Sequence, residues 1–266
     1  MKNILLLGAT GSIGDSVLSV IEQNQQSLNL YAITLDSNTS KAKDISESFT
    51  PEYIHINNEK SFNKIKEDNE INSKVLNGSS DLSALINDDN IDIIVSAITG
   101  FAGLEATAIA SKTGKTILLA NKESIVAAGE LILLSAKLSG TTIIPIDSEH
   151  NAIFQCLAGE KNTDDVSKII ITASGGPFLN KSLSSLKGVT KEQALKHPNW
   201  SMGSKISIDS ATLVNKCLEL IEAKYLFGLD EQFFELVIHP QSIVHSIVSY
   251  RDGSSICPMS NPDMTV

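Results

Sequence analysis

Gly8-Ala9-Thr10-Gly11-Ser12-Ile13-Gly14 lies between an apolar run, Asn3–Leu7, and a helix-patterned stretch, Ser12–Gln23. Strand, glycine-rich turn and helix in that order form the opening unit of a dinucleotide-binding sheet. Its glycines let the chain turn tightly and let a pyrophosphate approach the helix N-terminus. The spacing is a variant of the dinucleotide fingerprint. It is not a nucleoside-triphosphate loop, because no Gly-Lys-Ser/Thr follows. Outward from this turn the alternation continues. Leu30–Leu35, Ile91–Ala97, Thr116–Leu119 and Thr142–Ile146 read as further strands, with helical stretches at Gly103–Ser111 and Ser124–Leu138. Such alternation predicts an α/β fold with a Rossmann-type, doubly wound parallel sheet over residues 1–147. Residues 56–80 are polar and give no clear period. Asp36 follows the second strand, where an acid commonly holds a ribose 2′-hydroxyl and repels a 2′-phosphate. A turn role in Asp36-Ser37-Asn38 is equally open.

Beyond Asp147 the pattern changes to a mixed α+β arrangement over residues 148–266. Asn151–Ala158 reads as a helix and Lys168–Thr172 as a strand. Thr190-Lys191-Glu192-Gln193 fits a capping box that opens a short helix. Ala211–Phe227 reads as the longest helix of the chain, closed by Gly228. Glu235–Ile238 and Ile243–Tyr250 read as strands, and Asp252-Gly253 as a hairpin turn.

Composition excludes several classes of function. The 266 residues carry a formal charge of −10, with no basic stripe of the kind nucleic-acid binders show. Arg251 is the sole arginine, so mechanisms built on several bidentate guanidinium clamps are excluded. Three widely spaced cysteines argue against a disulfide framework and for a reduced, cytoplasmic protein. No apolar stretch approaches the ~20 residues that a membrane span needs.

Two groups of residues suggest chemistry. Asp147-Ser148-Glu149-His150 directly follows the last strand of the first region. In an extended segment residues 147 and 149 point the same way, and adjacent carboxylates need a cation or a proton between them. Oxygen ligands of this kind suit Mg²⁺ or Mn²⁺. Spacing alone leaves open a helix N-cap at Asp147 or Ser148. Asn215, Lys216 and Glu219 share a helix face, which taken alone reads as a solvated face with a Lys–Glu pair. His197-Pro198-Asn199-Trp200-Ser201-Met202-Gly203 holds the only tryptophan and suits a lid over a ligand. His239 and His245 lie on strand patterns and read as satisfied core residues.

Seven stretches in order resemble the 1-deoxy-D-xylulose 5-phosphate reductoisomerase family. They are GATGSIG (8–14), ANKES (120–124), PIDSEHNAIFQ (145–155), TASGGPF (172–178), HPNWSMGSKISIDSATLVNK (197–216), CLELIEA (217–223) and IHPQSIVHSIV (238–248). The resemblance implies a metal- and NADPH-dependent rearrangement and reduction of a phosphorylated ketose, by a homodimer. It implies Asp147, Glu149 and Glu219 as ligands of Mg²⁺ or Mn²⁺. Lys122, Ser148, Glu149, Ser174, His197, Ser210, Asn215, Lys216 and Glu219 would contact substrate, and Thr10, Gly11, Ser12, Ile13, Asn38, Asn121, Glu123 and Gly203 would contact NADPH. Lys122, Glu149, His197, Trp200 and Met202 would serve catalysis, Trp200 and Met202 by closing over the site. The family also has a C-terminal helical domain that these stretches do not reach, so the chain reads as C-terminally truncated. Another NAD(P)-dependent dehydrogenase, or a non-catalytic NAD(P)-sensing protein, would explain the glycine-rich turn. The sensor would not explain the acids.

Overall fold

The computed structural model describes residues 1–67, 71–158, 163–196 and 203–261. The chain divides into two compact units, one from Met1 to Ile144 and one beginning at Pro145.

The first unit alternates strand and helix throughout. In chain order it holds β1 (Lys2–Leu7), α1 (Ser12–Gln23), β2 (Leu28–Leu35), α2 (Thr39–Phe49), β3 (Tyr53–Ile56), α3 (Glu59–Lys66) and β4 (Lys74–Leu76). These are followed by α4 (Ser79–Ile86), β5 (Ile93–Ser96), α5 (Leu104–Ala110), β6 (Thr116–Leu119), α6 (Lys122–Ser139) and β7 (Thr142–Pro145). The strands lie in the order β4-β3-β2-β1-β5-β6-β7. β1 pairs in parallel with β2 on one side and β5 on the other, Ile4 facing Leu30 and Ile93. Chain order therefore reverses beside β1, and ligands of open α/β sheets bind beyond the strand ends at such a reversal. Leu5, Leu6, Leu7, Ile33, Ile94 and Ile117 are buried, as continuous apolar strands must be when helices cover both sheet faces.

The polar stretch 56–80 resolves into the end of β3, then α3, β4 and the start of α4. Asn58 caps α3 by accepting from the Ser61 N–H, and β4 is a three-residue edge strand. An edge strand this short buries too little to impose an apolar period. Ala128, at φ −147°, kinks α6, which at 18 residues is the longest helix among the described residues.

The second unit contains α7 (Ser148–Leu157), β8 (Val166–Ala173), α8 (Lys191–Ala194), α9 (Ser204–Ala211), α10 (Val214–Phe227), β9 (Phe234–Ile238), β10 (Ser246–Tyr250) and β11 (Ser255–Ile256). Its sheet runs β11-β10-β8-β9, with β8 parallel to β9 and antiparallel to β10. Ile153, Val166, Ile169, Ile171, Ala223 and Val248 form the core between α7, α10 and the sheet. The expected capping box at Thr190 and Gln193 is present. The helix expected over Ala211–Phe227 is found as α10 but starts at Val214, because Leu213 adopts a left-handed φ of 61° between α9 and α10. Gly228, at φ 64°, closes α10 by donating its N–H to the Lys224 carbonyl.

Gly14 gives a direct test of the first turn. A Cβ there would run into the Ala9 carbonyl oxygen, a backbone atom that cannot step aside. Gly14→Ala is expected to lower the stability of the first unit by about 1–3 kcal/mol through overpacking. A wild-type denaturation midpoint would show that α1 can shift away from β1 at no cost.

Candidate functional site

In the first unit the glycine turn opens onto a cleft of about 390 Å³. It is lined by Gly8, Thr10 and Gly11 of the turn, Asp36 beyond β2, and Ala97 and Ile98 beyond β5. Gly8 has a φ of 87°, and a Cβ on it would meet the Ala97 carbonyl oxygen at 2.7 Å. Gly11 is the N-cap of α1 and supplies no side-chain cap, so the helix N-terminus presents bare N–H groups. Ser12 is exposed beside it and Ile13 half-buried.

The other residues expected to contact a nucleotide are more constrained. Asn38 accepts from the Lys41 N–H and so caps α2. Asn121 is buried. Its oxygen caps α6 by accepting from the Ser124 N–H at 3.0 Å. Its amide donates to the carbonyls of Ile98 at 2.6 Å and Gly100 at 2.9 Å, and to Glu123 at 3.2 Å. Its side chain thus holds the loop after β5 in place. Lys122 begins α6 and is 9% exposed. Gly203 belongs to the second unit, as N-cap of α9.

The second unit carries the acids. Asp147 is the N-cap of α7, extended at φ −63° and ψ 134°, and Glu149 lies in the first helical turn. The extended path expected through Glu149 is therefore wrong. The helix starts earlier because Asn151 donates its amide to the Pro145 carbonyl at 2.8 Å, folding the chain back at once. N-cap and first turn still bring the two carboxylates together, and α10 adds Glu219. Ligand oxygens of Asp147, Glu149 and Glu219 all lie within 4.8 Å of one another.

The Lys216 and Glu219 face of α10 is not solvated. Lys216 is 7% exposed and Glu219 0%, while the apolar Leu213 and Val214 are 44% exposed. The polar stripe turns inward because the acids of α7 are there to meet it. The Lys216 ammonium donates to Glu219 Oε2 at 2.7 Å and also to Glu149, while the Asn215 amide donates to Glu219. Ser148 Oγ donates to Glu149 Oε2 at 2.6 Å, and Ser246 on β10 donates to the Glu149 backbone carbonyl at 3.0 Å. Burial pushes the Glu149 carboxyl upward, and the negative charge of Glu219 pushes it further. Burial opposes the Lys216 charge, but Glu149 and Glu219 outweigh it and raise the ammonium above the usual lysine range. One ammonium among three carboxylates leaves the cluster negative. A divalent cation with hard oxygen preference fits that donor set.

The loop expected to hold phosphate is partly assembled. Gly176, at φ 67°, packs against the end of α9 so closely that a Cβ would lie 2.8 Å from the Ser210 carbonyl oxygen. Ser174 and Ser210 are thereby on neighbouring segments, both half-buried. His197, Trp200 and Met202 lie outside the described residues. His239 and His245 are half-buried rather than core residues, although both are satisfied. His239 Nε2 accepts from the N–H groups of Ile243 and Val244 at 3.1 and 3.2 Å, and His245 Nε2 lies 2.7 Å from Ser260 Oγ.

Sequence reasoning missed His150 and Glu222. Both are buried, with His150 Nδ1 3.0 Å from Glu222 Oε2, and together with Asp147 they form a second group of ligand atoms within 4.8 Å. Burial works against the His150 charge, yet the Glu222 carboxylate overrides it and pushes the imidazole up to about 9. The signal was available: Glu222 repeats the spacing from Lys216 to Glu219 one step further along α10.

Residues 4–129 match the family profile for 1-deoxy-D-xylulose 5-phosphate reductoisomerase, and residues 143–227 match the profile for that enzyme's C-terminal domain. The chain belongs to the 1-deoxy-D-xylulose 5-phosphate reductoisomerase family. The reductoisomerase of Clostridium tetani is 49% identical over 267 residues, covering 99% of this chain and 69% of that protein. A crystal structure of DOX-P reductoisomerase in complex with NADPH, fosmidomycin and magnesium superposes with a TM-score of 0.94 at 43% identity. The match covers 99% of this chain and 67% of that one. The Zymomonas mobilis reductoisomerase in complex with NADPH gives 0.90 at 43% identity, over 99% and 68%.

Proposed function

We propose that this chain is an NADPH-dependent oxidoreductase that converts 1-deoxy-D-xylulose 5-phosphate to 2-C-methyl-D-erythritol 4-phosphate, a step of isoprenoid precursor synthesis. The observation that carries the reading is the inward-facing cluster of Asp147, Glu149 and Glu219, with Lys216 bound to two of the three. A dehydrogenase that needed only the nucleotide turn would have no use for it.

Asp147, Glu149 and Glu219 would hold Mg²⁺ or Mn²⁺. Such an ion acts as a Lewis acid on a carbonyl oxygen and as a template for a neighbouring hydroxyl. The bare N-terminus of α1 receives the NADPH pyrophosphate, with Thr10, Gly11, Ser12 and Ile13 around it. Ser174, Ser210, Asn215 and Lys216 hold the substrate phosphate with hydroxyls, an amide and one ammonium, which agrees with a chain that has a single arginine. Lys122 offsets charge on the developing oxyanion. As the family resemblance implies, His197 would contact the substrate, and Trp200 and Met202 would close over it.

The deciding experiment follows NADPH oxidation on adding 1-deoxy-D-xylulose 5-phosphate, with Mg²⁺, with Mn²⁺ and with chelator. Turnover that requires a metal is expected. Full activity in chelator would remove the metal from the scheme, and reduction of unrelated hydroxy acids would favour an ordinary dehydrogenase.

The same reading includes a cytoplasmic homodimer. Cys156, Cys217 and Cys257 are free thiols, and no helix among the described residues is long and apolar enough to cross a membrane. On the edge strand β9, Leu236, Val237 and Ile238 are 39–45% exposed, apolar surface suited to a second copy. Sedimentation analysis tests this directly.

Cofactor choice depends on Asp36. Its carboxylate lines the cleft and accepts from the Asn57 amide at 3.0 Å. The nearby Lys41 is paired with Asp15 and also donates to the Thr10 carbonyl at 3.3 Å. A 2′-phosphate would therefore meet a fixed negative charge with little local compensation. Asp36→Gly is expected to strengthen NADPH binding by roughly 1 kcal/mol and leave NADH nearly unchanged. Catalytic efficiencies for both cofactors give the answer; identical ratios before and after the change would mean that Asp36 is only a turn residue.

A further inference from the structure

Behind the three carboxylates lies a second buried charged group that the scheme above leaves unused. His150 on α7 is fully buried, and Glu222 on α10 is 1% exposed. His150 Nδ1 faces Glu222 Oε2 at 3.0 Å, and neither atom has another hydrogen-bond partner among the described residues. His150 Nε2 lies 2.9 Å from the backbone carbonyl oxygen of Glu219. Phe227 closes the far side edge-on, with ring centroids 6.4 Å apart.

Both ring nitrogens thus face acceptors. A carbonyl oxygen can only receive a proton, so Nε2 must donate to Glu219. A carboxylate at Nδ1 likewise requires a donor. The imidazole has no lone pair left for a metal, although Asp147, His150 and Glu222 are close enough to hold one. The connectivity explains what the ring does instead. Its neighbour in sequence is Glu149, and it grips the carbonyl of Glu219. It therefore links the backbones of the two helices at the residues whose carboxylates must converge.

We propose that His150 and Glu222 are a positioning pair. Glu222 holds the His150 ring at Nδ1, and His150 through Nε2 then fixes the Glu219 backbone beside Glu149, setting the spacing of the carboxylates. Outer partners that orient ligands in this way typically change metal affinity by about 10–100-fold when removed. The proposal rests on the reading of Asp147, Glu149 and Glu219 as metal ligands. The two can fail separately, because wild-type protein that binds no Mn²⁺ refutes the ligand assignment itself.

The test uses the NADPH-bound chain with Mn²⁺ as probe, read by electron paramagnetic resonance. In Glu222→Gln the carboxylate contact at Nδ1 becomes a weaker amide contact, so the ring is held less firmly against the Glu219 carbonyl. Mn²⁺ affinity should fall about 10–100-fold, while the NADPH dissociation constant stays within about twofold of wild type, the tolerance set by the separate location of the nucleotide turn. Glu222→Asp keeps the charge and should recover most of the loss. Bound Mn²⁺ in the wild type should show no coupling to a histidine nitrogen. Unchanged Mn²⁺ affinity in Glu222→Gln overturns the proposal. So does nitrogen coupling in the wild type, which would make His150 a ligand, and so does equal loss of NADPH and Mn²⁺ binding. If Glu222→Gln does not fold, His150→Phe replaces it, since it fills the ring volume but cannot donate to the Glu219 carbonyl. That variant should keep NADPH binding and lose Mn²⁺ affinity. Failure of both variants to fold would make the pair a requirement of the fold and overturn its positioning role.

Discussion

Glu219→Gln is expected to reduce turnover by about a thousandfold or more while leaving the NADPH dissociation constant close to wild type. The substitution keeps the volume and the capacity to accept from Asn215, so packing is largely preserved. What is lost is one of three carboxylate charges facing a divalent cation, and metal Lewis acidity is worth several kcal/mol in the transition state. Glu219 is 0% exposed, so water cannot take its place as a ligand without opening the interface between α7 and α10. The nucleotide turn lies on a different compact unit, which is why cofactor affinity serves as the internal control. Two measurements suffice: NADPH oxidation at saturating substrate with Mg²⁺, and NADPH titration by fluorescence. A variant retaining more than a tenth of wild-type turnover would remove Glu219 from the metal shell, since loss of a ligand charge cannot cost as little as ~1.4 kcal/mol.

The first unit was legible because its strands announce themselves. Leu5, Leu6, Leu7 and Ile94 are buried within sheet strands packed between helices, so the runs are continuously apolar, and the glycine turn marks where the first strand ends. β3 and β4 were not legible. β4 is the edge strand and carries only the side chains Lys74, Val75 and Leu76, while β3 beside it is four residues long and broken by the polar His55. The second unit was harder for another reason. A helix normally buries its apolar face, and by that rule the Lys216 and Glu219 face of α10 belongs outside. The rule fails here because α7 supplies Glu149 and His150 as partners for Lys216 and Glu222. No single-helix pattern contains that information. It came instead from the ordered motifs, whose family relation placed Asp147, Glu149 and Glu219 in one group before any geometry was known. His150 and Glu222 lie within the same motifs, but neither the resemblance nor the spacing gave them a role, and their pairing had to wait for coordinates. The break at Leu213 was equally hidden, since a left-handed leucine has no sequence signature and arises where α9 and α10 must change direction.

Lys216→Met should produce the largest change in stability, and metal should partly reverse it. Methionine preserves most of the side-chain length but removes the ammonium that now sits between Glu149 and Glu219. Removing one partner from a buried ion pair typically costs ~3–5 kcal/mol, because the charge left behind has no solvent. Two carboxylates are left behind here, and burial together with the negative charge of Glu219 already pushes the Glu149 carboxyl upward. In metal-free protein this gives the loss a pH dependence whose sign follows from the raised Glu149 carboxyl. Above the unfolded-state value of about 4.3 the folded state binds more protons than the unfolded state, so stability falls as pH rises through the folded-state value. Metal-free Lys216→Met should therefore be closest to wild type in mild acid and furthest from it at neutral pH. A divalent cation binds only the folded state and replaces the missing charge. At a concentration of 100 times its dissociation constant it would restore about 2.7 kcal/mol. Thermal denaturation of wild type and variant, in chelator and in excess Mg²⁺ at two pH values, measures all three effects. If the variant were as stable as wild type in chelator, the two carboxylates would have to be solvated or protonated already. If Mg²⁺ stabilised it no more than it stabilises wild type, Lys216 would not occupy the place that a cation takes, and the carboxylate cluster would lose its claim to be a metal centre.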